Sequence, residues 1–86
     1  MEHTAEQVAV VNRIKRAQGQ LSGVLRMVEG DRPVEEVLHQ LKAVTNALDR
    51  AGLALIAHEW RRAAAQEGGP TDDDLDRVER LFISLR

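Results

Sequence analysis

The sequence predicts an all-α protein of three helices in one domain, residues 1–86, and three observations carry that expectation. Ala, Leu, Val, Glu and Arg dominate, with one Phe, one Trp and no Tyr, so helix formers abound and β-favouring aromatics are scarce. Apolar residues recur at alternating spacings of four and three through two long stretches. Two breaks rich in Gly and Pro cut the chain into three pieces. A hydrophobic content of 43% argues for a folded chain rather than a disordered one, and 86 residues fit a single domain near the lower size for a self-sufficient core.

The first helix is expected from about Ala5 to Glu29. Val10, Ile14, Ala17, Leu21, Val24 and Val28 form a coiled-coil-like seam along it. Gly30-Asp31-Arg32-Pro33 ends it, with Gly30 suited to a left-handed cap and Pro33 to the opening turn of the next helix. The second helix is expected from about Pro33 to Gln66. Val34, Val37, Leu41, Val44, Leu48, Ala51, Leu55 and His58 continue the same alternation with no proline inside. Gly68-Gly69-Pro70 breaks the chain again. Thr71 to Asp74 reads as a capping box whose acids suit the positive end of a helix dipole, and Leu75, Val78, Phe82 and Leu85 give the short third helix its apolar face.

The second helix is too long for a lone chain. About 34 residues at 1.5 Å each make roughly 50 Å, against a diameter of roughly 26 Å for so small a globule. Covering that stripe requires a second copy, most simply in an antiparallel four-helix-bundle dimer built from the first two helices of each chain, and by extension a dimer of dimers.

Charge and composition exclude several functions. There is no cysteine, hence no disulfide, thiolate metal site or cysteine nucleophile. No apolar run approaches the ~20 residues of a membrane span and no signal-peptide pattern opens the chain, so a cytoplasmic location without membrane association is expected. No glycine-rich phosphate loop, no Ser-His-Asp order and no paired carboxylates in an apolar setting are present, so no enzyme activity and no cofactor are expected. The formal charge of −2 conceals an asymmetry. From Gln7 to Val28 the chain carries Arg13, Lys15, Arg16 and Arg26 and no acid, whereas six acids against three arginines occupy the tail from Glu67 onward.

The acid-free stretch holds the strongest local constellation. On a helix, Arg13, Arg16 and Gln20 share a face beside the apolar seam, with Lys15 further round. Guanidiniums in a row match phosphate oxygens, and Gln20 or Asn12 adds polar contacts; a solvated helix face is the plain alternative. Gly19 and Gly23, one turn apart inside a helix, point to close approach of a neighbouring helix or of a phosphate backbone, or to a tolerated defect. His3, His39 and His58 have no i, i+4 partner that would put two ligands on one face, so a lone interface histidine is the simpler reading of His58. Asp72-Asp73-Asp74 reads as helix N-terminal acids before it reads as a cation site.

With these segments in view, the chain resembles the CsoR/RcnR family of metal-sensing transcriptional repressors. The resemblance lies in Asn12-Arg13-Ile14-Lys15-Arg16-Ala17-Gln18-Gly19-Gln20-Leu21-Ser22-Gly23, in Arg26-Met27-Val28-Glu29, in Val37 to Val44 and in Ala47 to Ala51, without a gap. It implies a helical-bundle dimer that pairs into a tetramer, with Arg13 and Arg50 at the family's DNA-contacting arginines and Lys15 and Arg16 in the same basic stretch. It also implies an inducer, metal or other, bound between subunits. Here the chain departs from the pattern. The sensing cysteine falls on Val34, the later ligands fall on Glu59 and Ala63, and the residue before the cysteine is Pro33. Val34 and Ala63 offer no donor atom, and a thiophilic ion needs soft ligands. His58 lies one position off and His3 stands where some members recruit an N-terminal histidine, which leaves both as weak candidates.

The expectation is therefore a repressor binding operator DNA as a homo-oligomer, with DNA contacts from Arg13, Lys15, Arg16, Gln20 and Arg50, no resident metal, and an inducer other than Cu(I) or none. The competing expectation is a helical oligomerisation module that binds a protein partner or paralogue.

Overall fold

A computed structural model describes residues 4–86, all helix and connecting turns: α1 (Ala5–Glu29), α2 (Val34–Ala64) and α3 (Asp72–Ser84). His3 lies outside the described residues.

Each boundary has a local cause. Thr4 opens α1 with a capping box that the Thr-x-x-Gln spacing encodes: its Oγ1 accepts from Gln7 N–H at 3.1 Å, and its own N–H donates to Gln7 Oε1 at 2.8 Å. The end of α1 differs by one residue from expectation. Gly30 has φ −89°, and Asp31 takes the left-handed position at φ 55°. Arg32 N–H then donates to Met27 C=O at 3.0 Å and Asp31 N–H to Val28 C=O at 3.2 Å, the paired bonds of a Schellman turn. Asp tolerates that conformation better than most side chains do. A Cβ on Gly30 would lie 3.1 Å from the Arg26 carbonyl oxygen, so the glycine serves close backbone approach rather than positive φ.

α2 begins one residue later than the proline, whose carbonyl accepts from Glu36 N–H at 3.0 Å and Val37 N–H at 3.2 Å. Arg32 reinforces this turn by donating to Glu36 Oε2 at 2.6 Å. α2 ends at Ala64, two residues short of the expected Gln66, and Gly68 and Gly69 turn the chain at φ 85° and 76°. The expected capping box opens α3: Asp74 N–H donates to Thr71 Oγ1 at 3.1 Å, and Thr71 N–H donates to Asp74 Oδ2 at 2.9 Å.

The chain forms two compact units, one reaching to Ala51 and one from Gly52 to Arg86. In the first, burial selects alternate members of the expected seam. Val10, Ala17 and Val24 are buried on α1, and Val44 and Ala51 on α2. Val37 of α2 is half-buried, and the remaining members are exposed: Ile14, Leu21 and Val28 on α1, and Val34, Leu41 and Leu48 on α2. In their stead Gln20, Met27, Gln40 and Ala47 are half-buried. The α1–α2 pair is thus rotated off the centre of its apolar stripe. One edge is buried within the chain, and the other edge stays in solvent.

The second unit buries Ile56 and Ala63 of α2. Gly52 lets the end of α3 come close, since a Cβ there would stand 2.9 Å from Leu85 Cδ2. The close approach expected at Gly19 and Gly23 is not found within the chain. A Cβ on Gly19 would meet nothing within 4 Å, and one on Gly23 only an arginine tip at 3.8 Å.

Candidate functional site

In the first unit a cavity of about 530 Å³ opens between α1 and α2, lined by Arg13, Arg16, Gln20, Ala43, Asn46, Ala47 and Arg50. Its existence follows from residue size and spacing. Arg13, Arg16 and Gln20 sit at i, i+3 and i+7 on α1, and Ala43, Asn46, Ala47 and Arg50 at i, i+3, i+4 and i+7 on α2, so each set shares a face. Ala43 and Ala47 are too small to fill the space between the helices, and the long polar side chains wall what remains.

Electrostatically the groove is one-sided. It holds three guanidiniums and two carboxamides, with no carboxylate among its lining residues. Among the described residues, Arg13, Arg16 and Arg50 have no ion pair, whereas Arg32, Arg62 and Arg77 each pair with a glutamate. Three like charges held in one concavity without counter-charge are poised for an anion. Gln20 adds a further unmet demand: its Oε1 is buried and has no hydrogen-bond partner.

Four of the five residues expected to touch DNA thus line one cavity: Arg13, Arg16, Gln20 and Arg50. Lys15 does not; it is exposed and lies outside the lining. Sequence reasoning missed Asn46, which stands one helical turn before Arg50. The signal was available in the i, i+4 spacing of Asn46 and Arg50.

In the second unit, Glu59 is the centre of a small ion cluster. Its Oε2 accepts from Arg77 Nη1 of α3 at 2.6 Å and from Arg62 Nη2 of α2 at 3.1 Å. The hydrogen bond from Arg77 holds the Glu59 carboxyl below its ordinary value; partial burial opposes this, and the charges of Arg62, Arg77 and His58 support it. Beside the pair lies a cavity of about 330 Å³ lined mostly by apolar groups, among them Leu55, Ile56, Leu81 and Leu85.

A family model described as a metal-sensitive transcriptional repressor matches residues 6–84. The chain belongs to this family. It is 39% identical over 75 residues to the copper-sensing transcriptional repressor RicR of Mycobacterium tuberculosis, covering 83% of this chain and 77% of that protein. It is 40% identical over 55 residues to the copper-sensing repressor CsoR of Mycobacterium ulcerans, covering 64% of this chain and 47% of that protein. The chain therefore spans about half the length of that mycobacterial CsoR. Among solved structures it is similar to the nickel-responsive transcriptional regulator InrS, with a TM-score of 0.78 and 29% identity, over 100% of this chain and 97% of that one. These relatives bear out the three-helix, all-α reading and the family resemblance.

Membership sharpens the contrast at the positions that resemblance assigns to metal ligands. Val34, at the start of α2, and Ala63, buried in the second unit, carry no donor atom. Glu59 does, but two guanidiniums already occupy its oxygen. His58 is half-buried and has a partner of its own. Among the described residues, no group of three or more His, Cys, Asp or Glu is placed to hold a metal ion. The residues at these positions do not fit a copper or nickel ion.

Proposed function

We propose that the chain is a DNA-binding transcriptional repressor that works as a homo-oligomer and whose metal-sensing positions have lost their ligands. The observation that carries the DNA reading is the acid-free groove of Arg13, Arg16 and Arg50, three guanidiniums without an ion-pair partner among the described residues. Guanidinium forks match phosphate oxygens in shape and charge, and a helix pair presenting them from both sides grips a backbone ridge. Lys15, exposed on the same helix but outside the lining, adds to the positive charge of α1. A module that only bound protein would have no use for this concentration of unpaired cations, so the groove favours DNA over the interaction-module reading.

The exposed edge of the apolar stripe supports the oligomer. Ile14, Leu21 and Val28 on α1 and Leu41 and Leu48 on α2 recur every seven residues, and all lie between 38% and 56% exposed in the single chain. A second copy laid against them completes a four-helix bundle, and two such dimers form the tetramer. The location that suits this function is the cytoplasm, and no helix among the described residues is long and apolar enough to cross a membrane.

The deciding experiment is an electrophoretic shift with the DNA upstream of the protein's own coding region, at two salt concentrations, with and without Cu(I) or Ni(II). The reading expects binding that weakens steeply with salt and does not respond to either metal. Release by stoichiometric metal would show that His3, His58 and Glu59 assemble a working site. Absence of binding at low salt would favour the protein-partner module.

A further inference from the structure

The groove contains more than phosphate chemistry requires. Arg13, Arg16 and Arg50 only donate hydrogen bonds, and phosphate oxygens only accept them, so these three are fully matched by a nucleic-acid backbone. Gln20 and Asn46 line the same cavity and are different: each carboxamide carries a donor and an acceptor side by side. The Gln20 acceptor is already in deficit, because Oε1 is buried with no hydrogen-bond partner. A buried oxygen without a donor destabilises this side chain where it stands, and rotation about its torsions toward the open groove relieves the deficit.

No phosphate can satisfy that oxygen. On duplex DNA the available donors are exocyclic amines on base edges: adenine N6 and cytosine N4 in the major groove, and guanine N2 in the minor groove. Guanine sets N2 beside an acceptor, N3, only in the minor groove, which at about 6 Å is too narrow for a helix. In the major groove adenine alone among the bases sets its amine beside an acceptor of its own, N7, in the spacing that a carboxamide matches with both of its atoms. We propose that Gln20 and Asn46 are the base-reading residues of this site and that they select adenine in the major groove. This inference rests on the DNA-binding reading and adds to it a division of labour. The arginines position the protein on the backbone, and the two carboxamides specify sequence.

The small residues make the arrangement workable. Ala43 and Ala47 lie on the face of α2 that carries Asn46, and they leave space for a carboxamide to move between a folded-in and an extended position. Larger side chains there would fill the space into which Gln20 must turn.

The test begins by selecting duplexes from a randomised library with the full-length protein. Affinities are then measured by fluorescence anisotropy on a selected duplex and on copies in which each adenine is replaced in turn by 2′-deoxynebularine, which lacks the N6 amine. Wild type is expected to lose roughly 5- to 150-fold at one or more adenines, the range for one bidentate pairing with a base edge. Gln20→Ala and Asn46→Ala are expected to bind adenine and nebularine duplexes equally, with their salt dependence unchanged. Asn46→Asp keeps the side-chain shape but only accepts, so it is expected to move the preference at its position from adenine toward cytosine. The inference is overturned if no adenine is sensitive in wild type, or if the variants, shown folded by circular dichroism, keep the wild-type adenine preference. Failure of the protein to bind any duplex at low salt would instead sink the DNA-binding reading, and this inference with it. The two failures are distinguishable because the first leaves salt-dependent binding intact.

Discussion

The two units use the same residue type in opposite ways. In the second, Arg62 and Arg77 are satisfied within the chain, both donating to one oxygen of Glu59 and tying α3 to α2. In the first, Arg13, Arg16 and Arg50 converge on a cavity with no acid in its lining and no ion pair among the described residues. Folding alone does not call for the arrangement in the first unit, since gathering like charges works against the compact state. The contrast separates arginines paired within the chain from arginines left without a counter-charge among the described residues. It also marks how the family's sensing positions have changed. Glu59 stands where the resemblance puts a metal ligand, yet its carboxylate is committed to a guanidinium pair.

The largest expected effect lies in the surface left open along the first unit. Leu21 is 51% exposed and Leu41 38%, on α1 and α2 respectively. Burying a leucine contributes about 1.5–3 kcal/mol, and a two-fold interface counts each substitution twice. Leu21→Glu with Leu41→Glu is therefore expected to convert the oligomer to monomer at micromolar concentration and to abolish DNA binding with it. Sedimentation velocity and anisotropy on the same samples check this. A wild-type protein that sediments as a folded monomer would remove the oligomer from the account.

Next come the arginines. Arg13→Ala and Arg50→Ala are each expected to weaken DNA binding by roughly 5- to 150-fold. Each is also expected to lower the slope of log affinity against log salt by about 0.9 for every phosphate no longer neutralised, multiplied by the subunits engaged. The comparison substitution is Arg80→Ala on α3, an exposed arginine that is not among the cavity's lining residues, expected to change affinity little. Arg77 is a poor control despite its place outside the groove, because it holds Glu59. Equal losses from all three substitutions would mean diffuse charge attraction rather than a site.

Helix boundaries and capping are the most legible part of the sequence, because they depend on residues within a few positions of each other. Ala5 to Glu29 and the Thr71–Asp74 box follow directly from such local signals. The left-handed residue at the end of α1 is Asp31 and not the expected Gly30, since two adjacent residues both tolerate that region and the hydrogen bonds from Arg32 and Asp31 decide between them. The apolar stripe is legible as a stripe, but not the rotation that buries Val10 and Ala17 and leaves Ile14 and Leu21 outside. That rotation depends on both helices at once, and one helix's periodicity does not contain it. For the same reason helix periodicity groups Arg13, Arg16 and Gln20 on one face, but Arg50 joins them from sequence only by resemblance, and Asn46 escapes both. Two faces separated by some thirty residues meet only after the turn at Gly30 to Pro33 is made.

The smallest expected effect concerns the paired arginines of the second unit and depends on pH. Because Arg77 holds the folded-state pKa of Glu59 below its ordinary value, the folded chain binds this proton less readily than the unfolded one does. The stabilisation is therefore complete above the ordinary carboxylate range and is lost as pH falls through the lowered folded value. The Glu59 side chain is 26% exposed and its partners Arg62 and Arg77 are 65% and 51% exposed, so solvent screening keeps the contribution small, about 0.2–1 kcal/mol. Glu59→Gln retains the shape and removes the charge. At one fixed protein concentration it is expected to lower the melting temperature by a few degrees at pH 7 and to converge with wild type as pH falls below the lowered Glu59 value, where both side chains are neutral. The Asp74 carboxyl is also held low, chiefly by the Thr71 backbone N–H, so acid loosens the α3 cap in both proteins and cancels from the difference. Thermal melts by circular dichroism in steps from pH 7 down to pH 2 check this. A Glu59→Gln deficit that persisted undiminished to the lowest pH of the series would assign the effect to packing rather than to the ion pair.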